Sequence, residues 1–312
     1  MTVDDSGNGL PPVAAARMAE IRASGTWGSA LTADEFAAIK STGFEPVGQV
    51  LGAAVYNIGY TGGYACPAYG GYGIGRAGIF GGVPYETPTA TSGSGTLGSY
   101  APLVRLMYAA RRQAIGRMTR ECQELGGHGV VGVRLTIGSF PAGGLEFKAI
   151  GTAIRAPGGA PPREPFTSDL SGQDFAKLIL AGWVPVGLVL GISVGARHDD
   201  WMTVNQTRWG SGNIEVGGYT ELVNATRHDA RQQLERDVTR HGADGVVLQQ
   251  MSIHVGEHEC PVQEGRRDHT LEATIIGTAI AHFGKPRAVR PPLAIMSLDP
   301  QRRQAARVRL NP

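Results

Sequence analysis

The sequence predicts an α+β fold, a tandem repeat of two small two-layer domains in which an antiparallel sheet is covered by one long helix. Two repeated segments indicate the duplication: IGTAI occurs at 150–154 and again at 276–280, and residues 31–52 align with 170–191 without a gap. Each half also contains a long amphipathic stretch between β-branched runs. Because one helix covers only one face of a small sheet, we expect the second face to pack against the other half or another subunit.

The first element of each half is a short helix of about three turns, followed by an aromatic residue, Pro-Val-Gly and an apolar strand. Its start is marked by residues with capping spacing, Thr32 with Glu35 in the first half and Ser171 with Asp174 in the second. Gly43 and Gly182 lie where these helices end, at positions that favour a positive φ.

The second element of each half is a longer amphipathic helix, ended by Gly126 or Gly242. Its apolar residues recur every three or four positions: Leu103, Met107, Ala110, Ala114, Met118, Cys122 and Leu125 in the first half, and Leu222, Ala230, Leu234 and Val238 in the second. Because Cys122 lies on this stripe, we expect its thiol to be buried and inert.

Two strands complete each half. The runs GVVGVRL from 129 and GVVLQQM from 245 follow the long helices, and LEFKAIGTAI and LEATIIGTAI form the last strands. Each half therefore has the order helix, strand, helix, strand, strand. His128 and Asp244 lie at the helix-to-strand corner, where a polar side chain stabilises the turn by hydrogen bonding.

The order of short motifs in both halves resembles the YbjQ-type family, whose domains are called heavy-metal-binding. In the second half the motifs are VGGY (216–219), GADGVV (242–247) and GTA (277–279). In the first half they are Gly48, Gly52, Tyr100, 126–131 and GTA (151–153). The resemblance covers about 31–156 and 170–283. It implies dodecin-like α+β subunits and a homo-oligomeric ring, typically a pentamer.

The first copy departs from the family in three places. Gly98-Ser99 stands where the second copy has Gly217-Gly218, His128 stands where it has Asp244, and a long Gly/Tyr-rich insertion follows the first strand. The predicted boundaries are an N-terminal extension (1–30), domain 1 (31–156) with the insertion at about 59–99, a Pro/Gly linker (157–169), domain 2 (170–284) and a basic C-terminal tail (285–312).

Composition limits the cellular setting and the partners. The three cysteines, Cys66, Cys122 and Cys260, are too few and too scattered for a disulfide framework. The N-terminus has no signal-peptide pattern and no run of 18 apolar residues occurs, so we expect a cytoplasmic protein. Net charge is +2, yet acidic residues predominate in domain 2 and basic residues in the tail.

The segment HVGEHEC, His254 to Cys260, is the first candidate metal site. If it continues the preceding strand, the period of two places His254, His258 and Cys260 on one side, with Glu257 and Glu259 on the other. Two imidazoles and a thiol are a zinc-type ligand set, to which His269 or a neighbouring subunit adds a fourth ligand. The alternative is a solvated hairpin tip.

A second candidate metal site follows the first strand of domain 2, where His198, Asp199 and Asp200 form a polar cluster after Arg197. These side chains suit a divalent cation, or a solvated turn without an ion. No zinc-finger spacing accompanies either candidate, so the predicted cofactor is at most a divalent metal such as zinc.

The Gly/Tyr-rich insertion contains no charged residue from Gly59 to Gly75 and carries several tyrosines. It is either a surface connection or an assembly or membrane-contacting element that lines a ring, since tyrosine suits interfaces. The basic tail is either flexible or in contact with an acidic surface. No interleaved aromatic and basic surface suggests a nucleic-acid partner.

Enzyme signatures such as a P-loop or a G-x-S-x-G elbow do not occur. The sequence therefore predicts a non-enzymatic, ring-forming assembly or scaffold protein whose main partner is itself. The first alternative is a heavy-metal-binding module, and the second is a ring that contacts a membrane or another protein through the insertion.

Overall fold

A computed structural model describes residues 10–57, 89–93, 100–140, 144–208, 210, 212–260 and 265–283. Its helices are α1 (Pro12–Ser24), α2 (Ala33–Ser41), α3 (Ala101–Glu124), α4 (Gly172–Leu180), α5 (Trp201–Gln206) and α6 (Gly217–Arg240). Its strands are β1 (Glu45–Asn57), β2 (Ala90–Thr91), β3 (Gly129–Phe140), β4 (Gly144–Arg155), β5 (Phe166–Thr167), β6 (Trp183–His198), β7 (Gly245–Glu259) and β8 (Arg267–His282). The predicted α+β class is confirmed, and most of the Gly/Tyr-rich insertion and all of the tail beyond 283 lie outside the described residues.

The strands form two four-stranded sheets with the orders β1-β4-β3-β5 and β2-β6-β8-β7. The three long strands of each sheet are antiparallel neighbours. Each of the two short strands pairs with the sheet of the other half. β5, which precedes α4, pairs with β3 of the first sheet, and β2, which precedes α3, pairs with β6 of the second. Each sheet is therefore completed by a piece of chain that leads into the other half.

Helix α3 lies between the two sheets. Alternate residues of β6 point to opposite faces, as the strand period of two requires. Val189 packs with Leu222 and Leu234 of α6, whereas Leu190 and Ile192 share a core with α3. The second sheet is thus covered on one face by its own helix and on the other by the helix of the first half, as expected from the one-sided domain.

The capping residues act as predicted. Thr32 and Glu35 form a reciprocal capping box at the start of α2. The hydroxyl of Ser171 accepts a hydrogen bond from the Asp174 N–H at 3.1 Å at the start of α4. The glycines that follow these two helices, Gly43 and Gly182, both have φ of 85°.

Matching polar contacts recur at matching places in the two halves. The Glu121 carboxylate on α3 accepts the Leu51 N–H at 2.7 Å. The Asp237 carboxylate on α6 likewise accepts the Leu190 N–H at 3.1 Å. At the corners, the backbone N–H groups of residues 156 and 282 donate to Nδ1 of His128 (3.3 Å) and to the Asp244 carboxylate (2.9 Å). Both corner residues are structural, as predicted, but the N–H groups that they accept lie at the ends of β4 and β8 and not in the turn.

Cys122 is buried with no exposed surface, and burial raises the pKa of its thiol to about 12. The prediction of an inert core thiol is confirmed, because a protonated thiol is a poor nucleophile. The sequence did not predict α1, which is bound to α3 by the ion pairs Arg17–Glu121 and Arg22–Glu124. Within the described ranges, no helix combines the length and the apolar character needed to cross a membrane.

Tyr108 joins α3 to the second sheet. Its hydroxyl donates to the Leu190 carbonyl at 3.3 Å and accepts the Ile192 N–H at 2.9 Å. Burial raises the pKa of this phenol. One hydroxyl therefore satisfies two backbone groups of β6.

We expect Tyr108→Phe to lower the free energy of unfolding by about 1–3 kcal/mol, because two partly buried backbone groups lose their partner. Urea unfolding followed by circular dichroism measures the change. Tyr56→Phe is the matched control, since the Tyr56 ring packs edge-on against Phe147 of the first sheet. Equal losses in both variants would contradict the bridging role of Tyr108.

Candidate metal centre

The three long strands of the second sheet extend further than their counterparts in the first. β6, β7 and β8 have 16, 15 and 16 residues, whereas β1, β3 and β4 have 13, 12 and 12. At the extended end, His198 of β6 lies opposite Asp268 of β8, and Asp268 lies opposite His258 of β7. Polar side chains of three strands therefore meet at one end of the sheet.

His198, Cys260 and Asp268 form a buried cluster at this end, and their donor atoms all lie within 4.8 Å of one another. His198 Nδ1 is 2.5 Å from Asp268 Oδ1. Cys260 follows β7 directly, and its N–H donates to the Arg266 carbonyl at 2.9 Å, which closes the β7–β8 hairpin. The cluster combines one nitrogen, one sulfur and one oxygen donor.

Burial dominates the electrostatics of the cluster. His198 and Asp268 have no exposed surface. Removal from water disfavours the charged carboxylate and raises the Asp268 pKa to about 6, although His269 acts in the opposite direction. Ionisable groups are seldom buried at such a site unless they are paired or bind a metal.

Arg197 and Asp200 flank the cluster in a network of their own. Arg197 is ion-paired with Asp200 at 2.8 Å and with Glu221 of α6 at 2.6 Å. The Asp200 carboxylate also accepts the Thr203 N–H at 2.8 Å and so caps α5. Asp200 thus serves as a structural anchor, a role that the cation prediction for this segment did not include.

Asp199 belongs to a third group, which also contacts α6. The Tyr219 hydroxyl lies 2.8 Å from His269 Nε2 and donates to the Asp199 carboxylate at 3.2 Å. His269 Nε2 is also 3.2 Å from that carboxylate. Burial, followed by the negative charge of Asp199, raises the Tyr219 pKa. This network fastens α6 to the ends of β6 and β8.

The structure does not keep either of the two predicted metal sets together as one group of neighbouring side chains. His198 from one segment meets Cys260 from the other, and Asp199 and Asp200 have the partners given above. His254 and His258 are exposed and line a cavity of about 320 Å³ with Glu272. Among the described residues, the three-donor group is the His198–Cys260–Asp268 cluster.

Asp268 was missed because its segment looked like a polar loop. The signal that identifies it is alternation, since Asp268, Thr270 and Glu272 repeat every second residue before an apolar strand. Extending β8 backwards by this pattern places Asp268 opposite His198.

A family model described as "Putative heavy-metal-binding", of the YbjQ type, matches residues 91–156. Over 291 residues the chain is 31% identical to "Encapsulin nanocompartment protein Rv1762c" of Mycobacterium tuberculosis, an alignment that covers 90% of this chain and 95% of that protein. Residues 91–156 therefore contain a YbjQ-type domain, and the chain as a whole belongs to the same family as that nanocompartment protein. The resemblance predicted from the motifs is therefore confirmed.

Shorter YbjQ-type relatives match only part of this chain. A UPF0145 protein of Clostridium perfringens is 40% identical over 60 residues, which are 19% of this chain and 54% of that protein. A UPF0145 protein of Halorubrum lacusprofundi is 48% identical over 50 residues, which are 16% and 48%. The chain spans about half the length of these two relatives. No solved structure matches the chain.

The YbjQ family match, at 91–156, includes Thr91 of β2 and all of α3, β3 and β4. The buried cluster lies outside it, on β6, β8 and the residue after β7. Its donor set fits a zinc-like ion, because imidazole, thiolate and carboxylate are the usual protein ligands of zinc.

Proposed function

We propose that this chain is a structural, non-enzymatic protein that assembles with copies of itself in an encapsulin-type nanocompartment. One observation carries the proposal, the 31% identity across nearly the full length of both chains with a protein named as an encapsulin nanocompartment protein. An alignment of this extent includes both halves of the fold, so it bears on the whole chain and not on one shared domain.

The edge of the second sheet supports self-assembly. β7 is the outermost strand in the order β2-β6-β8-β7. Met251, Ile253 and Val255, the β7 stripe, lie opposite β8 residues that belong to the core beneath α6. Val255 is 67% exposed and Met251 is 45% exposed. A long edge strand with exposed apolar residues is a template for pairing with another chain.

We further propose that the assembly is a ring, of the pentamer type that the family resemblance implies. Contacts between two different surfaces of identical subunits generate closed rings when the rotation closes. We also propose that each subunit consists of domain 1 (31–156) and domain 2 (170–284). The pairing of β2 with the second sheet and of β5 with the first sheet holds these two domains together.

Electron microscopy of the purified full chain tests the proposal. We expect uniform closed particles with rotational symmetry in class averages. Fields that contain only single subunits, at a concentration where the chain is folded by circular dichroism, would contradict self-assembly.

Binding of a divalent metal such as zinc is a second candidate function. The buried cluster of His198, Cys260 and Asp268 favours it, as does the description of the family model. The two predicted sets, His254, His258 and Cys260 and also His198, Asp199 and Asp200, each contribute one member to that cluster. Elemental analysis of the purified chain after dialysis against zinc is the direct test, with one bound ion per chain as the expected result.

A further inference from the structure

We propose that His198, Cys260 and Asp268 bind one zinc-like divalent ion that fastens the ends of β6, β7 and β8 together. This inference rests on the second candidate function and names its site. It assigns a structural role to the metal, because the three ligands come from three different chain segments at one end of the second sheet.

The geometry permits such an ion with a small adjustment. Zinc ligand atoms at about 2.0–2.3 Å from a tetrahedral metal lie about 3.3–3.8 Å from one another. The three donor atoms already lie within 4.8 Å of one another. The contact between His198 Nδ1 and Asp268 Oδ1, at 2.5 Å, is shorter than that spacing. Replacing this hydrogen bond by a metal requires the contact to open by about 1 Å.

His258 supplies the fourth ligand. It lies directly opposite Asp268 in the β7–β8 register. It is exposed, and its Nε2 atom lies 3.3 Å from the position that a Cβ on Gly256 would occupy, so the ring lies over this glycine. This assignment requires a change of side-chain rotamer that turns the imidazole from the cavity toward the cluster. Two imidazoles, one thiolate and one carboxylate then complete a tetrahedral site.

The donor chemistry selects the class of metal. Thiolate and imidazole favour zinc and related soft or borderline ions, whereas magnesium and calcium prefer sites made of oxygen ligands.

A nucleophilic triad uses the same three residue types, but this cluster is poorly suited to one. His198 has no exposed surface and Cys260 is only 6% exposed, so a substrate has no access to the thiol. A closed site of this kind is typical of structural metal centres, in which the protein supplies all four ligands.

The test uses the full chain, loaded with zinc and analysed by X-ray absorption spectroscopy, which requires no variant. We expect one zinc per chain with one sulfur ligand at about 2.3 Å and nitrogen or oxygen ligands at about 2.0 Å. Competitive titration then compares Cys260→Ser and His258→Ala with the control His254→Ala, which changes an exposed histidine of the same strand outside the cluster. We expect both ligand variants to bind zinc at least 10-fold more weakly, and the control to bind it within about 2-fold of the unaltered chain.

The possible outcomes distinguish an error in the proposed ligand set from an error in the proposal that the chain binds metal. If the unaltered chain binds no stoichiometric zinc, both the metal function and this site are wrong. If zinc binds without a sulfur ligand, or if His254→Ala abolishes binding while Cys260→Ser does not, the site is wrong and metal binding stands. His258 is exposed, so its variant remains informative even if Cys260→Ser fails to fold.

Discussion

Gly191→Ala is expected to lower the free energy of unfolding by about 3 kcal/mol or more. A Cβ at this position of β6 would lie 2.2 Å from the Ala230 carbonyl oxygen and 3.0 Å from the Leu234 side chain. Because the nearest atom belongs to the backbone of α6, the helix must move away from the sheet. Overpacking of a well-filled core usually costs about 1–3 kcal/mol, and displacement of a helix backbone raises the cost. Urea unfolding followed by circular dichroism measures the loss.

The duplication provides a second copy of this experiment and a matched control. Gly52 of β1 has the same relation to α3, where a Cβ would lie 1.9 Å from the Ala114 carbonyl oxygen. We expect Gly52→Ala to be as damaging as Gly191→Ala. Gly138→Ala is the control, because no heavy atom lies within 4 Å of its added Cβ. A loss below about 1 kcal/mol in Gly191→Ala would show that α6 does not pack as closely on β6 as described.

The second large effect concerns assembly. We expect Met251→Lys combined with Val255→Lys to convert the assembled protein into small species while the fold is kept. Both side chains are exposed in one subunit, so folding loses little, whereas two charges on the β7 stripe oppose pairing with another chain. Sedimentation velocity of the double variant measures the change in size.

Val13→Lys is the control for this variant. Val13 lies on α1 and is 83% exposed, so the substitution adds a charge at an exposed apolar position away from β7. We expect this control to sediment like the unaltered chain. An unchanged particle in the β7 double variant would exclude this stripe from the subunit interface.

Local signals in the sequence were sufficient for the repeated elements. Capping residues and glycines with positive φ act on neighbouring backbone, so the ends of α2 and α4 follow from a few residues. The corner positions of His128 and Asp244 were expected from the turn, but the N–H groups that they accept, of residues 156 and 282, lie 28 and 38 positions further along the chain.

Contacts between distant segments were not predictable in the same way. β2 and β5 contain two residues each, too few to show a strand period. Their exchange between the sheets depends on how the halves pack, which a single sequence does not encode locally. The hydrogen bonds from Tyr108 to β6 also depend on how the two halves pack.

The candidate site was predicted in two incomplete pieces. His198 and Cys260 each stood out because they lie in polar, metal-ligand-rich segments. Their proximity depends on the register of β6, β7 and β8, which brings residues of separate segments to one end of the sheet. Asp268 completes the cluster only once β8 is extended to meet His198.

The mass of the particle in solution tests the central proposal of self-assembly most directly. The chain has a mass of 32.8 kDa. Size-exclusion chromatography with light scattering is done at micromolar concentration and moderate salt. We expect a single species whose mass is a whole-number multiple of this value, at least twofold, and does not change on dilution. A stable species of 32.8 kDa from folded protein would contradict the proposal.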